Sequence, residues 1–168
     1  MNNGTVLLVE DFDNDVILLQ RFWRLEEVGN PLEIVADGQQ ALDYLAGRRE
    51  FANRTEHPVP RLVLLDLKLP LVGGLEILKW MRSQPELQNL PVLVISTSGL
   101  RRDVDEAYRL GTNGFVVKPS KVADLRQLVR WIRDFWLKDG GLTEAALEAA
   151  PAAFILNPFS QMQGTAPA

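Results

Sequence analysis

Asp66 closes the apolar run Leu62-Val63-Leu64-Leu65 and is followed at once by a turn-forming stretch containing Pro70, Gly73 and Gly74. Alone, such a carboxylate would do no more than cap a turn. Three other apolar runs also end on polar groups. Thr5-Val6-Leu7-Leu8-Val9 leads into Glu10, Asp11 and then Asp13; Pro91 to Ile95 leads into Ser96, Thr97 and Ser98; Phe115-Val116-Val117 leads into Lys118. Acids gathered without a counter-charge repel one another, and a hard divalent cation relieves that repulsion. Magnesium takes one or two carboxylates, waters and phosphate oxygens, a role open to Asp11 and Asp66. Beside such an ion Asp66 stays ionised and can attack a phosphorus atom in line to form an acyl phosphate. A lysine ammonium and a hydroxyl, here Lys118 and Ser96, would then meet the phosphoryl oxygens. Charge-assisted hydrogen bonds of that kind contribute about 1.5–3 kcal/mol each, enough to give the modified chain a different shape.

For that chemistry, distant groups must meet. The apolar runs are too short for helices and are bounded by prolines, glycines or acids, which suits strands buried on both faces. Runs at Thr5–Glu10, Leu32–Ala36, Leu62–Asp66, Pro91–Ser96 and Phe115–Val117 alternate with helical patterns, so the order is β, α repeated five times. Right-handed crossovers then give a parallel sheet with helices on both faces, and its polar groups collect beyond the carboxyl ends of the strands. The first helix carries two apolar stripes: Leu18, Phe22 and Leu25, and Val16, Leu19 and Trp23. Leu19 and Trp23 either pack at the core edge or form a docking surface. Asp13 or Asn14 is placed to cap that helix. Gly47 to Pro60 reads as a long polar surface connection with no assignable chemistry.

Composition removes several classes. With no cysteine there is no thiolate metal site, disulfide or cysteine nucleophile, which fits a reducing compartment. One histidine, His57 in a polar loop, makes a histidine metal cluster or a Ser-His-Asp triad hard to build and reads as a satisfied surface group. A net charge of −4 provides no global field for nucleic acid or anionic lipid. No apolar run approaches a membrane span and the start has no signal-peptide pattern, so the expected location is the cytoplasm. At 168 residues the chain has room for one core and an appendage.

Glu10-Asp11, the segment Asp66-Leu67-Lys68-Leu69-Pro70-Leu71-Val72-Gly73-Gly74, Val94-Ile95-Ser96-Thr97-Ser98 and Gly114-Phe115-Val116-Val117-Lys118-Pro119, in this order and spacing, resemble the receiver domain of two-component response regulators. The resemblance covers about residues 4 to 137. It implies a flavodoxin-like, doubly wound five-stranded sheet of order 2-1-3-4-5 and a receiver domain over 1–137. Asp66 is then the phospho-acceptor, with Glu10, Asp11, Asp66 and the Lys68 carbonyl around Mg2+. Because the family often has two aspartates at Glu10-Asp11, Asp11 is the stronger metal ligand. Ser96 is the switch hydroxyl, Lys118 the phosphate partner, Phe115 the aromatic whose rotamer follows Ser96, and Lys118–Pro119 a cis peptide. The implied activity is not that of an enzyme beyond self-phosphorylation and self-dephosphorylation, and the implied partner is a histidine kinase. The long Gly47–Pro60 connection and Phe135-Trp136-Leu137 resemble the small receivers paired with cyanobacterial and bacterial phytochromes, so a bacteriophytochrome is the expected kinase.

Lys121 to Leu137 reads as one helix with a core stripe of Leu125, Val129, Ile132 and Trp136, flanked by Leu128, Trp131 and Phe135. Arg126, Arg130 and Arg133 form a basic stripe that reads as a solvated face. Residues 138–168 form an extension with a possible short helix, Thr143–Ala150, and then Phe154, Ile155 and Leu156, residues a free disordered tail would not usually carry. Trp131, Phe135, Phe154, Ile155 and Leu156 are therefore the expected homodimer interface, against packing of the arm on its own domain. Two other readings stay open: a dimeric pseudo-receiver that is never phosphorylated, and an aspartyl-phosphate hydrolase, which would want a second aspartate where Lys68 stands. A flavin binder of the same fold is disfavoured by the acids after the first strand, which would repel a phosphate.

Overall fold

The computed structural model describes residues 3–138 and 148–150. Five strands, β1 (Val6–Val9), β2 (Leu32–Val35), β3 (Leu62–Leu65), β4 (Val92–Ser96) and β5 (Gly114–Val117), form one parallel sheet in the order β2-β1-β3-β4-β5. Five helices connect and cover them: α1 (Asp13–Leu25), α2 (Gly38–Ala46), α3 (Gly74–Ser83), α4 (Arg101–Arg109) and α5 (Val122–Trp131). This is the doubly wound, flavodoxin-like architecture, and the order reverses between β1 and β3.

Side chains alternate across each strand, so each strand serves two cores. Leu8, Leu64, Ile95 and Val116 pack with Leu19, Phe22 and Val129 on the α1 and α5 side. Leu7, Val9, Val63, Leu65, Val94 and Phe115 pack with Ala41, Leu78 and Val104 on the side of α2, α3 and α4. β1, β3 and β4 are buried throughout, whereas β2 at the sheet edge is half exposed along most of its length.

Leu19 and Trp23 are core residues, and the Trp23 Nε1–H donates to the Asn30 carbonyl at 2.8 Å. Leu25 is 52% exposed and drops out of the apolar stripe. The residue before α1 is Phe12, whose N–H donates to Glu10 Oε1 at 3.1 Å, so a carboxylate just past β1 rather than Asp13 or Asn14 meets that helix start. His57 is half buried: its ring is 5.2 Å from Phe51 and 5.9 Å from Tyr44, centroid to centroid. Arg54 fastens this connection by donating to the carbonyls of Tyr44, Leu45 and His57, two of them at the end of α2 where helical partners run out.

The last helix changes pitch. After Trp131 the chain continues as a π-helical turn, Ile132–Leu137. Its i to i+5 spacing brings Trp136 under Trp131 and Leu137 under Ile132, so all four are buried, with the indoles edge to face at 5.6 Å. Trp131 is thus buried in its own chain, Phe135 is half buried, and Phe154, Ile155 and Leu156 lie outside the described residues.

The arginine stripe, with Arg126 and Arg130 still about half exposed, is also a clamp. Arg126 and Arg130 donate through Nε to the two carboxylate oxygens of Glu26, the second at 2.8 Å, and Arg133 donates to the Glu26 carbonyl at 2.8 Å. Glu26 is buried at the end of α1, and the arginine hydrogen bonds hold its carboxyl at about 2, against an ordinary 4.5. A depressed pKa contributes stability that is whole above the unfolded value and is lost as pH falls toward the folded one. Between pH 4.5 and 2 the melting temperature of the wild type therefore falls more steeply than that of Glu26→Gln, which has no such group to protonate. Parallel curves in a thermal melt series would remove the clamp from the stability account.

Candidate functional site

Register places the acids. Val9 pairs with Leu65, so the next residues, Glu10 and Asp66, leave neighbouring strands side by side. The ladder continues one residue past each strand: Asp66 N–H donates to Val9 O and Glu10 N–H to Val35 O, both at 3.1 Å. Ser96 pairs with Val117, and Lys118 N–H donates to Ser96 O at 2.7 Å. By the period of two, Glu10, Asp66 and Lys118 extend the registers of Leu8, Leu64 and Val116 toward α1 and α5. Ser96 extends the register of Val92 and Val94, on the side where Phe115 is fully buried.

Lys118 Nζ is the hub of the cluster. It donates to Asp66 Oδ2 and Asp15 Oδ2, each at 3.0 Å, and forms an ion pair with Glu10. Its side chain is 13% exposed, against 5% for Glu10 and 7% for Asp66. Burial alone would push the ammonium down; its contacts to Glu10, Asp15 and Asp66 outweigh that and hold it above the usual lysine value. Burial pushes the Glu10 carboxyl up to about 7, with the Asp66 charge adding to the rise and Lys118 offsetting part of it. Asp15 is a partner that motif reasoning overlooked. Its signal was its position on the inward stripe of α1, four residues before Leu19 and seven before Phe22.

Glu10, Asp11 and Asp66 each offer an oxygen within 4.8 Å of the others, with Asp11 exposed at the mouth. Three hard donors, open on one side and short of positive charge, fit a hard divalent cation. The loop beyond Asp66 is held tightly. Lys68 N–H donates to Asp66 Oδ1 at 3.1 Å, and Gly74 N–H donates to Leu67 O at 3.0 Å. A Cβ on Gly74 would lie 2.2 Å from the Asp66 carbonyl oxygen, so only glycine allows α3 to start this close to the acid. Asp11, Lys68 and Thr97 line the open cleft over Asp66. Ser96 is fully buried, and its Oγ accepts the Ser98 N–H at 3.2 Å. One expectation fails: no cis peptide occurs among the described residues, so Lys118–Pro119 is trans. That is the form an X–Pro bond prefers by about 0.5–1 kcal/mol, and the ladder bond from Lys118 to Ser96 and the start of α5 are made with it.

The profile of the response regulator receiver domain matches residues 6–130. The chain belongs to this family. Response regulator Rcp1 of Synechocystis is 36% identical over 133 residues, which cover 79% of this chain and 88% of that protein. The solved structure of the phosphorylated cyanobacterial phytochrome response regulator RcpA is 36% identical with a TM-score of 0.76, over 81% of this chain and 95% of that one. The Mn2+-bound form of Rcp1 is 35% identical with a TM-score of 0.76, over 83% and 99%. The receiver therefore shares its fold with phytochrome-associated relatives, and its acidic group lies where the strands of such a sheet present ligand sites. No helix among the described residues is long and apolar enough to cross a membrane.

Proposed function

We propose that this receiver belongs to a response regulator that accepts a phosphoryl group from a histidine kinase on Asp66, in a Mg2+-dependent reaction. The observation that carries the reading is the ammonium of Lys118, 3.0 Å from Asp66 and paired also to Glu10, inside a group of three potential metal ligands. Glu10, Asp11, Asp66 and the Lys68 carbonyl would hold the ion, which supplies positive charge to phosphoryl oxygens when bound. A carboxylate oxygen of Asp66 attacks the phosphorus; an O–P bond forms as the N–P bond to the kinase histidine breaks, and the imidazole leaves. Lys118 moves its ammonium from Asp66 to a phosphoryl oxygen. Ser96 turns its hydroxyl from the Ser98 amide to another, and Phe115 follows into the space released.

The kinase is of the phytochrome type, a reading supported by the likeness to the phytochrome response regulator RcpA, and the site of action is the cytoplasm. Output is by protein contact rather than by nucleic acid binding, given the acidic net charge. Transfer of radiolabel from the phosphohistidine of a phytochrome-type kinase to this chain tests the reading, and lack of transfer from any such kinase would contradict the pairing.

Residues 1–137 are the receiver proper and 138–168 a dimerisation arm. Ala150 and Phe135 both pack against the core cluster that contains Trp131. With Trp131 buried in its own chain, Phe135 remains to meet Phe154, Ile155 and Leu156 of a second copy. Light scattering of Phe154→Asp is expected to show a monomer where wild type is a dimer; an unchanged dimer would free the arm of that role.

Lys68 lies two residues past the acceptor and lines the cleft over it. A bulky cation there screens the acyl phosphate from attacking water, so the phosphorylated chain decays slowly. Lys68→Asn is expected to shorten the lifetime, followed by intact mass after removal of the donor; an unchanged lifetime would leave Lys68 a bystander.

A further inference from the structure

Beneath the acid cluster, on the side of the sheet covered by α1 and α5, is a half-enclosed cavity of about 140 Å³. Its wall is built by Leu8, Leu18, Leu19, Leu64, Ile95 and Leu125, six side chains with no polar atom. A hole of about 150 Å³ with such a lining stays dry and admits benzene, so this one has room for a single six-membered ring. Its upper end is not apolar. Glu10, Asp15, Asp66 and Lys118 close it, and the same four residues also line the open cleft that holds Asp11, Lys68 and Thr97. Lys118 and its three acids are thus a partition between an aqueous cleft and an apolar chamber.

The partition carries more acids than bases. Lys118 is the single cation on it, and Lys121, at the chamber mouth, is exposed to water. Asp15 is the member least enclosed, with 36% of its side chain exposed, and it comes from the first turn of α1, which forms one lip of the chamber. A carboxylate or phosphate ligand would face repulsion from this end, and a neutral hydrocarbon would leave three acids sharing the one ammonium of Lys118. An ammonium would be met. We propose that the chamber is a binding site for a small organic cation, a primary ammonium carried on one benzene-sized apolar group, with the ring against Leu18 and Ile95 and the ammonium on Asp15. Such a ligand competes with Lys118 for Asp15, and so reaches the ammonium used by the phosphoryl-accepting site without entering the open cleft. The assignment rests on the chamber's shape and charge and holds whether or not Asp66 is ever phosphorylated.

Benzylamine is the probe, titrated into the full chain in metal-free buffer and followed by methyl resonances of Leu18 and Ile95. The expected result is saturable shifts, with benzyl alcohol binding about tenfold more weakly and benzoate not at all. Asp15→Asn, which keeps the chamber, is expected to reduce benzylamine to the affinity of benzyl alcohol. Leu125→Trp, at a half-buried position, is expected to abolish all three by filling the space. No saturable shift with benzylamine, binding of benzoate as tight as that of benzylamine, or an affinity untouched by Leu125→Trp would each overturn the proposal. The receiver reading fails by a different measurement, loss of phosphoryl transfer to wild type, so the two failures cannot be confused.

Discussion

Replacing Asp66 by asparagine is expected to leave the chain folded and unable to gain a phosphoryl group from either a kinase or acetyl phosphate. The amide is nearly the shape of the carboxylate, its oxygen can still accept the Lys68 N–H, and the neighbouring apolar residues of β3 are untouched. What it lacks is the anionic oxygen that must form the O–P bond, and no small change in geometry restores that. Asp11 and Asp15 remain close by, but Asp11 is exposed at the mouth and Asp15 leaves from α1 rather than from the sheet, so neither takes over in line. The variant should also bind Mg2+ more weakly, because one of three grouped acids is gone. An intact mass showing wild-type modification in Asp66→Asn would place the acceptor elsewhere.

Lys118→Ala removes the cation that two ligand acids now share. Preorganised charges aimed at a developing anion are each worth about 10²–10³ in rate, and phosphorylation by acetyl phosphate should fall by about that factor. The effect on metal runs the other way. Glu10 and Asp66 are both paired with the ammonium, so its loss frees them for a divalent ion, and Mg2+ affinity measured by calorimetry should rise. The divergence is diagnostic: a variant that merely misfolded would lose both. An unchanged phosphorylation rate with full metal binding would show that Lys118 holds the resting cluster together and takes no part in transfer.

Much of the frame could be read from residues because the signals were local. Short apolar runs ended by charges marked all five strands, and Gly73-Gly74 marked a close approach that the Gly74 backbone does make to Asp66. The convergence of Glu10, Asp66 and Lys118 followed from their places at the ends of strands, and the register and the ion pairs of Lys118 agree with it. What stayed hidden depended on which helix meets which. The inward stripe of α1 runs Asp15, Leu19, Phe22, Glu26, with an acid at each end. Both acids are answered from the far end of the chain, Asp15 by Lys118 and Glu26 by the arginines of α5 and the turn after it. Nothing in the periodicity of either segment reveals the other, so the arginines looked solvated and Asp15 looked incidental. The π-helical turn was hidden for a related reason: at ordinary helical spacing Trp131 and Trp136 fall on different sides, and only the wider turn unites them. The cis Lys118–Pro119 bond came from the likeness to other receivers alone, and that is the site feature that did not carry over.

In the function proposed above, the cluster around Lys118 serves to place a phosphoryl group on Asp66. Intact mass of the wild-type chain after incubation with acetyl phosphate, with Mg2+ and again with a chelator, tests it most directly. The expected result is a single added phosphoryl group that needs the divalent ion. A chain that stays unmodified with Mg2+ present, or one that is modified equally well in the chelator, would contradict it.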